Sequence, residues 1–316
     1  MPPTLPAVSV IVPVYNGEID IPDLVKCFLA QTYPADRVEY LIVNNASSDR
    51  TAELLEQATQ EAADQGITLK GLLEDQIQSS YAARNRGIRM AQAPILAFTD
   101  ADCRPRPDWL LNLVQPFAKP EVGLVAGEIV ALPGETLLER HADRDETLSQ
   151  KHTLAHPFCP YGQTANLAVR RQAFEQVGLF RPYLTTGGDA DFCWRVLRET
   201  DWQIEFAKEA IVQHRHRATW KDLMAQWRRY GRSNRFLHDL HGVDLRPEFS
   251  VRDYGYRWSR WLIKEVPVKT LKLVAGRGTL VDLVSTPIGL FCAGARSEGQ
   301  RTAQLPDAAR EIDRLP

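Results

Sequence analysis

The chain has 316 residues and a mass of 35.7 kDa, with 44% hydrophobic and 25% charged residues. That composition is globular and excludes a disordered chain, a collagen or a coiled-coil rod. With 38 Lys plus Arg against 40 Asp plus Glu, the net charge of −2 argues against a dedicated nucleic-acid binder. The balance is uneven. Residues 214–277 carry 15 Lys or Arg and 6 Asp or Glu, a local +9 that leaves −11 for the rest. The five cysteines (Cys27, Cys103, Cys159, Cys193, Cys292) are odd in number and show no C-x-x-C spacing, so neither a disulfide framework nor a cysteine zinc site is expected, and a reducing cytosol fits. The N-terminal MPPTLPAVSV lacks the basic start and apolar run of a signal peptide.

In chain order, Val8 to Val14 reads as a buried strand, Ile21 to Gln31 as a helix, and Tyr40 to Val43 as a second strand. Ser47-Ser48-Asp49 caps a helix running to about Asp64. Ile67 to Leu73 is a third strand, Ser79 to Ala91 a helix and Ile95 to Thr99 a fourth strand, after which Pro107 opens another helix. This alternation predicts an α/β sheet with βαβ crossovers. Further on, Val122 to Leu132 reads as a long strand, residues 134–155 as charged helix or loop, and Gln163 to Val169 as a strand. Asp189 to Glu199 is helical and Gln203 to Phe206 a short strand. From Trp220 the chain is helical, basic and aromatic, and from Arg296 it reads as a loose polar tail. Gly278 to Ala295, with Asp282 as its only charge, comes nearest to a membrane span, and Pro287 weakens it.

Ligands of open α/β sheets sit beyond the carboxyl ends of the strands. Three polar clusters fall there: Pro13-Val14-Tyr15-Asn16-Gly17, Asn44-Asn45-Ala46-Ser47-Ser48-Asp49 and Thr99-Asp100-Ala101-Asp102. Two carboxylates just past an apolar strand suit a hard divalent cation, which takes oxygen ligands and phosphate oxygens together, although acidic pairs in solvated turns are common.

The segments VSVIVPVYNG, EYLIVNNASSDRT, AARNRGIRMAQAPILAFTDADCRPRPDWL, TANLAVRRQAFEQVGLF and GGDADFCWRVL, in this order and spacing, resemble the family-2 inverting glycosyltransferases over residues 7–235. The resemblance implies a GT-A fold, a Rossmann-like mixed sheet flanked by helices, here with a helical basic C-terminal extension. It also implies a nucleotide-sugar donor, usually UDP-linked, and a bound Mg²⁺ or Mn²⁺. By position, Pro13, Val14 and Tyr15 would line the nucleobase pocket, and Asn44 or Asn45 would face the base edge. Arg84 would lie near the diphosphate or base, Asp100 would contact the ribose or metal, and Asp102 would ligate the metal. Asn166 would touch donor sugar or acceptor, and His214 would complete the metal site, the alternative being a solvated or phosphate-facing imidazole. Strand two usually ends in two aspartates in this family; here both are asparagines, which keep a donor and an acceptor but no charge.

An inverting transfer needs one base to take the acceptor proton, and by the resemblance the motif position before the catalytic helix assigns it to Asp189, where the family's acidic pair is reduced to Gly188-Asp189. Outside that family setting Asp189 would read as a helix N-cap. Asp191 is expected to hydrogen-bond within the helix N-terminus and Trp194 to be core. Gln226-Trp227-Arg228-Arg229-Tyr230 is similar to the Q-x-x-R-W signature of processive members, or else belongs to an amphipathic helix packed by its aromatics. The expected protein is thus a metal-dependent inverting glycosyltransferase acting on a lipid-linked or glycan acceptor, cytoplasmic and peripheral on an anionic membrane. Its expected divisions are a catalytic domain at 1–215, a helical basic region at 216–295 and a tail at 296–316. The competing readings are a sugar nucleotidyltransferase, which needs a Gly-rich phosphate loop after strand one, and a noncatalytic sugar-binding protein.

Overall fold

The computed structural model describes residues 5–315. β1 (Val8–Val14) is buried at every position, as a strand without polar alternation must be when helices cover both sheet faces. After α1 (Ile21–Leu29), β2 (Val38–Asn44) pairs with β1 in parallel. α2 (Thr51–Asp64) leads to β3 (Thr68–Leu73), parallel to β2, and α3 (Ser80–Met90) returns the chain to β4 (Ile95–Thr99), parallel to β1 on its other side. The chain continues through β5 (Cys103–Pro105), α4 (Trp109–Val114) and β6 (Val122–Ala131). It then forms α5 (Leu137–Arg144), α6 (Gln150–Leu154), β7 (Asn166–Arg170), α7 (Arg171–Val177), α8 (Gly188–Glu199) and β8 (Gln203–His214).

The sheet order is β3-β2-β1-β4-β7-β6-β8-β5. β7 enters antiparallel between β4 and β6, β8 runs parallel to β6, and the three-residue β5 closes the edge antiparallel to β8. One face packs Val10, Val12, Ile42 and Ala97 against Phe28, Trp109 and Leu113. Elsewhere Phe98, Phe174, Phe180 and Phe192 are fully buried ring on ring, with Phe174 and Phe192 stacked at 4.3 Å.

The described residues fall into two compact units: one of the chain up to Leu132, Leu148–His214 and the residues from Pro306 on, the other of Pro133–Thr147 and Arg215–Leu305. In the second, α9 (Trp220–His241), α10 (Val251–Arg260), α11 (Val266–Val274) and α12 (Leu280–Thr302) follow one another, with a π-helical turn over Trp261–Glu265 joining α10 to α11. Leu223 of α9 meets Ile288 and Cys292 of α12, and Arg144 of α5 pairs with Asp282 at 2.8 Å.

Four sequence expectations change here. The strand expected at Gln203 to Phe206 runs on to His214, because after an irregularity at residues 208–210 it pairs again with β6 on one side and with β5 on the other. The segment Gly278 to Ala295 is mostly α12, whose Val281, Ile288, Leu290, Cys292 and Ala295 are buried. Among the described residues no helix is long and apolar enough to cross a membrane. The residues from Arg296 are no loose tail: α12 reaches Thr302, and the last segment returns to the sheet unit. There Leu179 N donates to Asp313 O at 2.7 Å, Arg89 pairs with Asp313 and Ala309 is fully buried. Finally, Pro133–Thr147 groups with the C-terminal helices although it lies inside the range expected to be catalytic domain.

Candidate active site

All the candidate residues lie in the sheet unit: at or just past the carboxyl ends of β1, β2, β4 and β8, on α3 (Arg84), and at the starts of β7 (Asn166) and α8 (Asp189). The loop after β1 is tied down by the loop after β2. Asn16 N donates to Ser47 Oγ at 2.9 Å, Gly17 N to Thr51 Oγ1 at 2.8 Å and Glu18 N to Asp49 Oδ2 at 3.0 Å, while Asn16 Oδ1 accepts from Ser48 N at 2.9 Å. Three successive amides that a phosphate loop would need are thereby consumed. The N-cap position of α2 is Arg50, which makes no side-chain cap; Asp49 just before it accepts from Thr51 N at 3.0 Å and Glu18 accepts from Arg50 N at 3.3 Å, while the two serines serve the β1 loop.

Of the proposed base-pocket residues only Tyr15 presents an exposed side chain; Pro13 and Val14 are buried, and Val14 belongs to the core. Asn44 Oδ1 accepts from Ser47 N at 3.0 Å. Asn45 Nδ2 donates to the carbonyls of Glu74 and Ile77, both at 2.9 Å, so this nearly buried amide holds the segment leading to α3. Asn166 does not reach a ligand. Its side chain is fully buried, accepts from Trp109 Nε1 and donates to the carbonyls of Glu128 and Ala210, each at 2.8 Å. The physical reason is the entry of β7 into the sheet's centre, where a polar side chain must be satisfied internally.

Asp100 is drawn to Arg84: Nη2 and Oδ1 are 2.5 Å apart. The guanidinium is almost buried on α3 and needs a counter-ion, so Asp100 anchors Arg84 and is not among the side chains that cluster around Asp102. Arg84 Nε is buried with no hydrogen-bond partner among the described residues.

The pairing of β5 with β8 sets Cys103 opposite His214 and so brings Asp102 beside the end of a distant strand. Asp102 Oδ1 and His214 Nε2 are 3.4 Å apart, and with Cys103 Sγ they form a group whose donor atoms lie within 4.8 Å of one another. Burial, followed by the charges of Asp100 and Asp102, pushes the Cys103 thiol well above its usual range, and Sγ lies 3.8 Å from Ala165 O. The group thus offers a carboxylate, an imidazole and a buried thiol, and the carboxylate–imidazole pair fits a divalent cation completed by donor oxygens.

Asp189 stands in the first turn of α8. Gly187 precedes the helix with φ 81°, a left-handed conformation that favours glycine. A Cβ at Gly188 would meet the Tyr81 ring at 2.6 Å. The glycine pair thus brings the start of α8 onto Tyr81 of α3. Asp189 is not the N-cap; its carboxylate accepts from Thr164 Oγ1 at 3.0 Å and Thr164 N at 3.3 Å. The Tyr81 hydroxyl accepts from Gly188 N at 2.9 Å, and burial, followed by the neighbouring Asp189 carboxylate, keeps that phenol protonated. Burial raises the Asp189 carboxyl above its ordinary range, Arg84 pulls it down, Asp100 pushes it up, and the Thr164 hydrogen bonds lower it. A carboxylate with raised basicity, held by two hydrogen bonds from Thr164, is suited to accept a proton.

Tyr81 and Thr164 escaped sequence reasoning. Thr164 sits two residues before β7, in the quoted TANLAVRR segment, whereas nothing in SSYAARNRG marks Tyr81 except its spacing of three from Arg84 on the same helix face. Asp191 takes a different role from the one expected: fully buried, it pairs with Arg181 at 3.0 Å and Arg195 at 3.2 Å. Trp194 is core, its Nε1 donating to Cys159 O at 2.8 Å.

Residues 9–178, more than half of the chain, match the glycosyl transferase family 2, and residues 95–264 match the glycosyl transferase family group 2. Glycosyltransferase AglE of Haloferax volcanii is 36% identical over 253 residues, covering 79% of this chain and 80% of AglE. The undecaprenyl-phosphate 4-deoxy-4-formamido-L-arabinose transferase of Salmonella paratyphi A is 28% identical over 157 residues, 49% of this chain and 46% of that enzyme, so less than half of that relative is spanned. The mannosyltransferase PcManGT from Pyrobaculum calidifontis, solved in complex with GDP-Man and Mn²⁺, shares the fold with a TM-score of 0.65 at 20% identity, over 95% of this chain and 88% of that one. The buried parallel strands, the inserted β7 and the acidic end of β4 are thus those of a GT-A glycosyltransferase, and the chain belongs to glycosyl transferase family 2.

Proposed function

We propose that this protein transfers a sugar, with inversion, from a nucleoside diphosphate donor to a hydroxyl of a lipid-linked or glycan acceptor at the cytoplasmic face of a membrane. The observation that carries the reading is the grouping of Asp189, the Arg84–Asp100 pair and the Asp102–His214 pair at one sheet edge. Asp189 takes the proton from the acceptor hydroxyl as that oxygen attacks the anomeric carbon. Tyr81 and Thr164 hold the carboxylate in place, and the spare Nε of Arg84 is a donor for an anionic oxygen of the nucleotide. Asp102 and His214 would hold the divalent ion, whose contribution when bound is to stabilise the charge on the departing diphosphate. Support for a lipid-linked acceptor comes from the undecaprenyl-phosphate transferase, and support for a nucleotide sugar with Mn²⁺ from PcManGT. Uridine is the expected base, and guanosine is the alternative that PcManGT raises. The nucleotidyltransferase reading loses support because the β1 loop spends its amides on side chains instead of leaving them for phosphate.

The test is donor hydrolysis and transfer over a panel of UDP- and GDP-sugars with Mn²⁺, with product configuration read by NMR. Asp102→Asn should bring turnover near background, as should EDTA. Undiminished transfer in EDTA refutes the metal assignment, a retained anomeric configuration refutes inversion, and release of pyrophosphate instead of transfer points to a nucleotidyltransferase.

A further inference from the structure

The helical run from α10 through the π turn to α11 packs one side onto α12 and leaves the other bare. On the packed side Trp261 Nε1 donates to Leu283 O at 2.9 Å, and Glu265 accepts from Thr286 Oγ1 at 2.6 Å and from Lys269 Nζ at 2.8 Å. On the bare side Ile263, Leu271 and Val274 are 71%, 71% and 84% exposed. With Pro267 they recur at spacings of four, four and three, which is one helical stripe. Leu262 and Val268 flank it, and beyond the turn that ends α11 the first residue of α12, Leu280, is exposed as well. No residue of α10, the π turn or α11 is buried.

The charges are sorted in the same way. Residues 251–277 carry seven Lys or Arg and two acids, Asp253 and Glu265. Asp253 closes the capping box with Ser250, and Glu265 is spent on Lys269 and Thr286. Lys264, Lys272 and Arg277 are exposed beside the stripe with no opposing acid on it. A bare aliphatic stripe edged only by cations complements an apolar layer covered by anionic headgroups.

We propose that α10 to α11 and the turn into α12 form a docking surface for an anionic lipid bilayer, with Ile263, Leu271 and Val274 entering the interface and Lys264, Lys272 and Arg277 meeting headgroup phosphates. Part of the aromatic complement of this region packs on itself: Trp258 and Trp261 meet edge to face at 5.4 Å, and Trp227 and Tyr230 at 5.6 Å, while Tyr256 is exposed. The surface gives meaning to the lipid-linked acceptor in the proposed function, but it does not depend on catalysis.

The experiment is sedimentation of the full chain with vesicles of phosphatidylcholine alone or mixed with phosphatidylglycerol, at low and high salt. Partition should require the anionic lipid and weaken with salt. Leu271→Asp with Val274→Asp should lower it at least tenfold, and Lys264→Gln, Lys272→Gln and Arg277→Gln together on the order of a hundredfold. Val274→Asp alone alters a side chain too exposed to be needed for folding, so it keeps the test decisive if the multiple variants lose helix content. Asp189→Asn should sediment as the unaltered protein does, which separates failure of this surface from failure of the catalytic reading. Absence of binding to either vesicle, or equal partition of the variants, overturns the proposal. So does a concentration-dependent dimer that the same substitutions dissolve, since a second copy would then cover the stripe.

Discussion

Replacing Tyr81 by Phe removes one oxygen and with it two contacts, the phenol O–H beside the Asp189 carboxylate and the acceptor of Gly188 N at 2.9 Å. The first favours the charged form of the carboxylate, with the value of a hydrogen bond to a charged group, about 1.5–3 kcal/mol, as its upper limit. At about 1.4 kcal/mol per unit, its loss should move the acid limb of kcat/KM upward by up to about one to two pH units. The direction follows from the sign: burial already raises the Asp189 carboxyl, and removing a donor to the ionised form raises it further. The second loss leaves a buried backbone amide without its acceptor and should cost about 1–3 kcal/mol of stability. The ring itself stays, so the stack on Phe180 at 5.7 Å and the space it fills against Gly188 are kept. The assay is a pH profile of kcat/KM for both proteins, with urea unfolding as the stability readout. A variant that loses stability while its acid limb stays in place would refute the assignment of Asp189 as the base, because a merely structural tyrosine shifts no pH profile.

Asp189→Asn should lower turnover on the order of 10²- to 10⁴-fold while leaving nucleotide binding, read by calorimetry, little changed. The same variant should unfold at a higher temperature than the unaltered protein at neutral pH. A carboxyl whose folded pKa is raised loses stability as pH climbs through that value, so the difference should vanish below the ordinary carboxylate range. Asp191→Asn leaves the guanidiniums of Arg181 and Arg195 without their shared counter-ion in a buried site and should cost about 3–5 kcal/mol in urea unfolding. A loss below about 1 kcal/mol would mean that the carbonyls of Val177 and Leu179, which Arg195 also contacts, suffice to hold the cluster.

The catalytic half of the chain was legible because its strands are buried on both faces. Val8–Val14 and Ile95–Thr99 have no polar alternation, and only a covered parallel sheet accepts such runs. The polar residues that end those strands then fall at one edge by topology alone, which is why Asp100 and Asp102 could be singled out as candidates, whereas Asp189 was singled out only through the family resemblance. Which of them would do what was a matter of long-range pairing. The antiparallel β5, only three residues long, carries no sequence signal, yet its register with β8 is what sets His214 beside Asp102. Arg84 claims Asp100 because α3 buries a guanidinium beside the end of β4, and Tyr81 reaches Asp189 because two glycines let α8 approach α3. Asn166 was expected as a ligand contact from its place in the TANLAVRR segment of the family resemblance, and is an interior bracket because its strand is inserted between β4 and β6. The same holds at the other end of the chain: composition announced a basic, aromatic region, but only the packing of α10 and α11 on α12 decided that Trp261 turns toward α12 and the aliphatic stripe outward. Local sequence sets which residues are apolar, charged or able to cap a helix, whereas the partner each meets depends on contacts between segments far apart along the chain, and these exist only once the chain is folded.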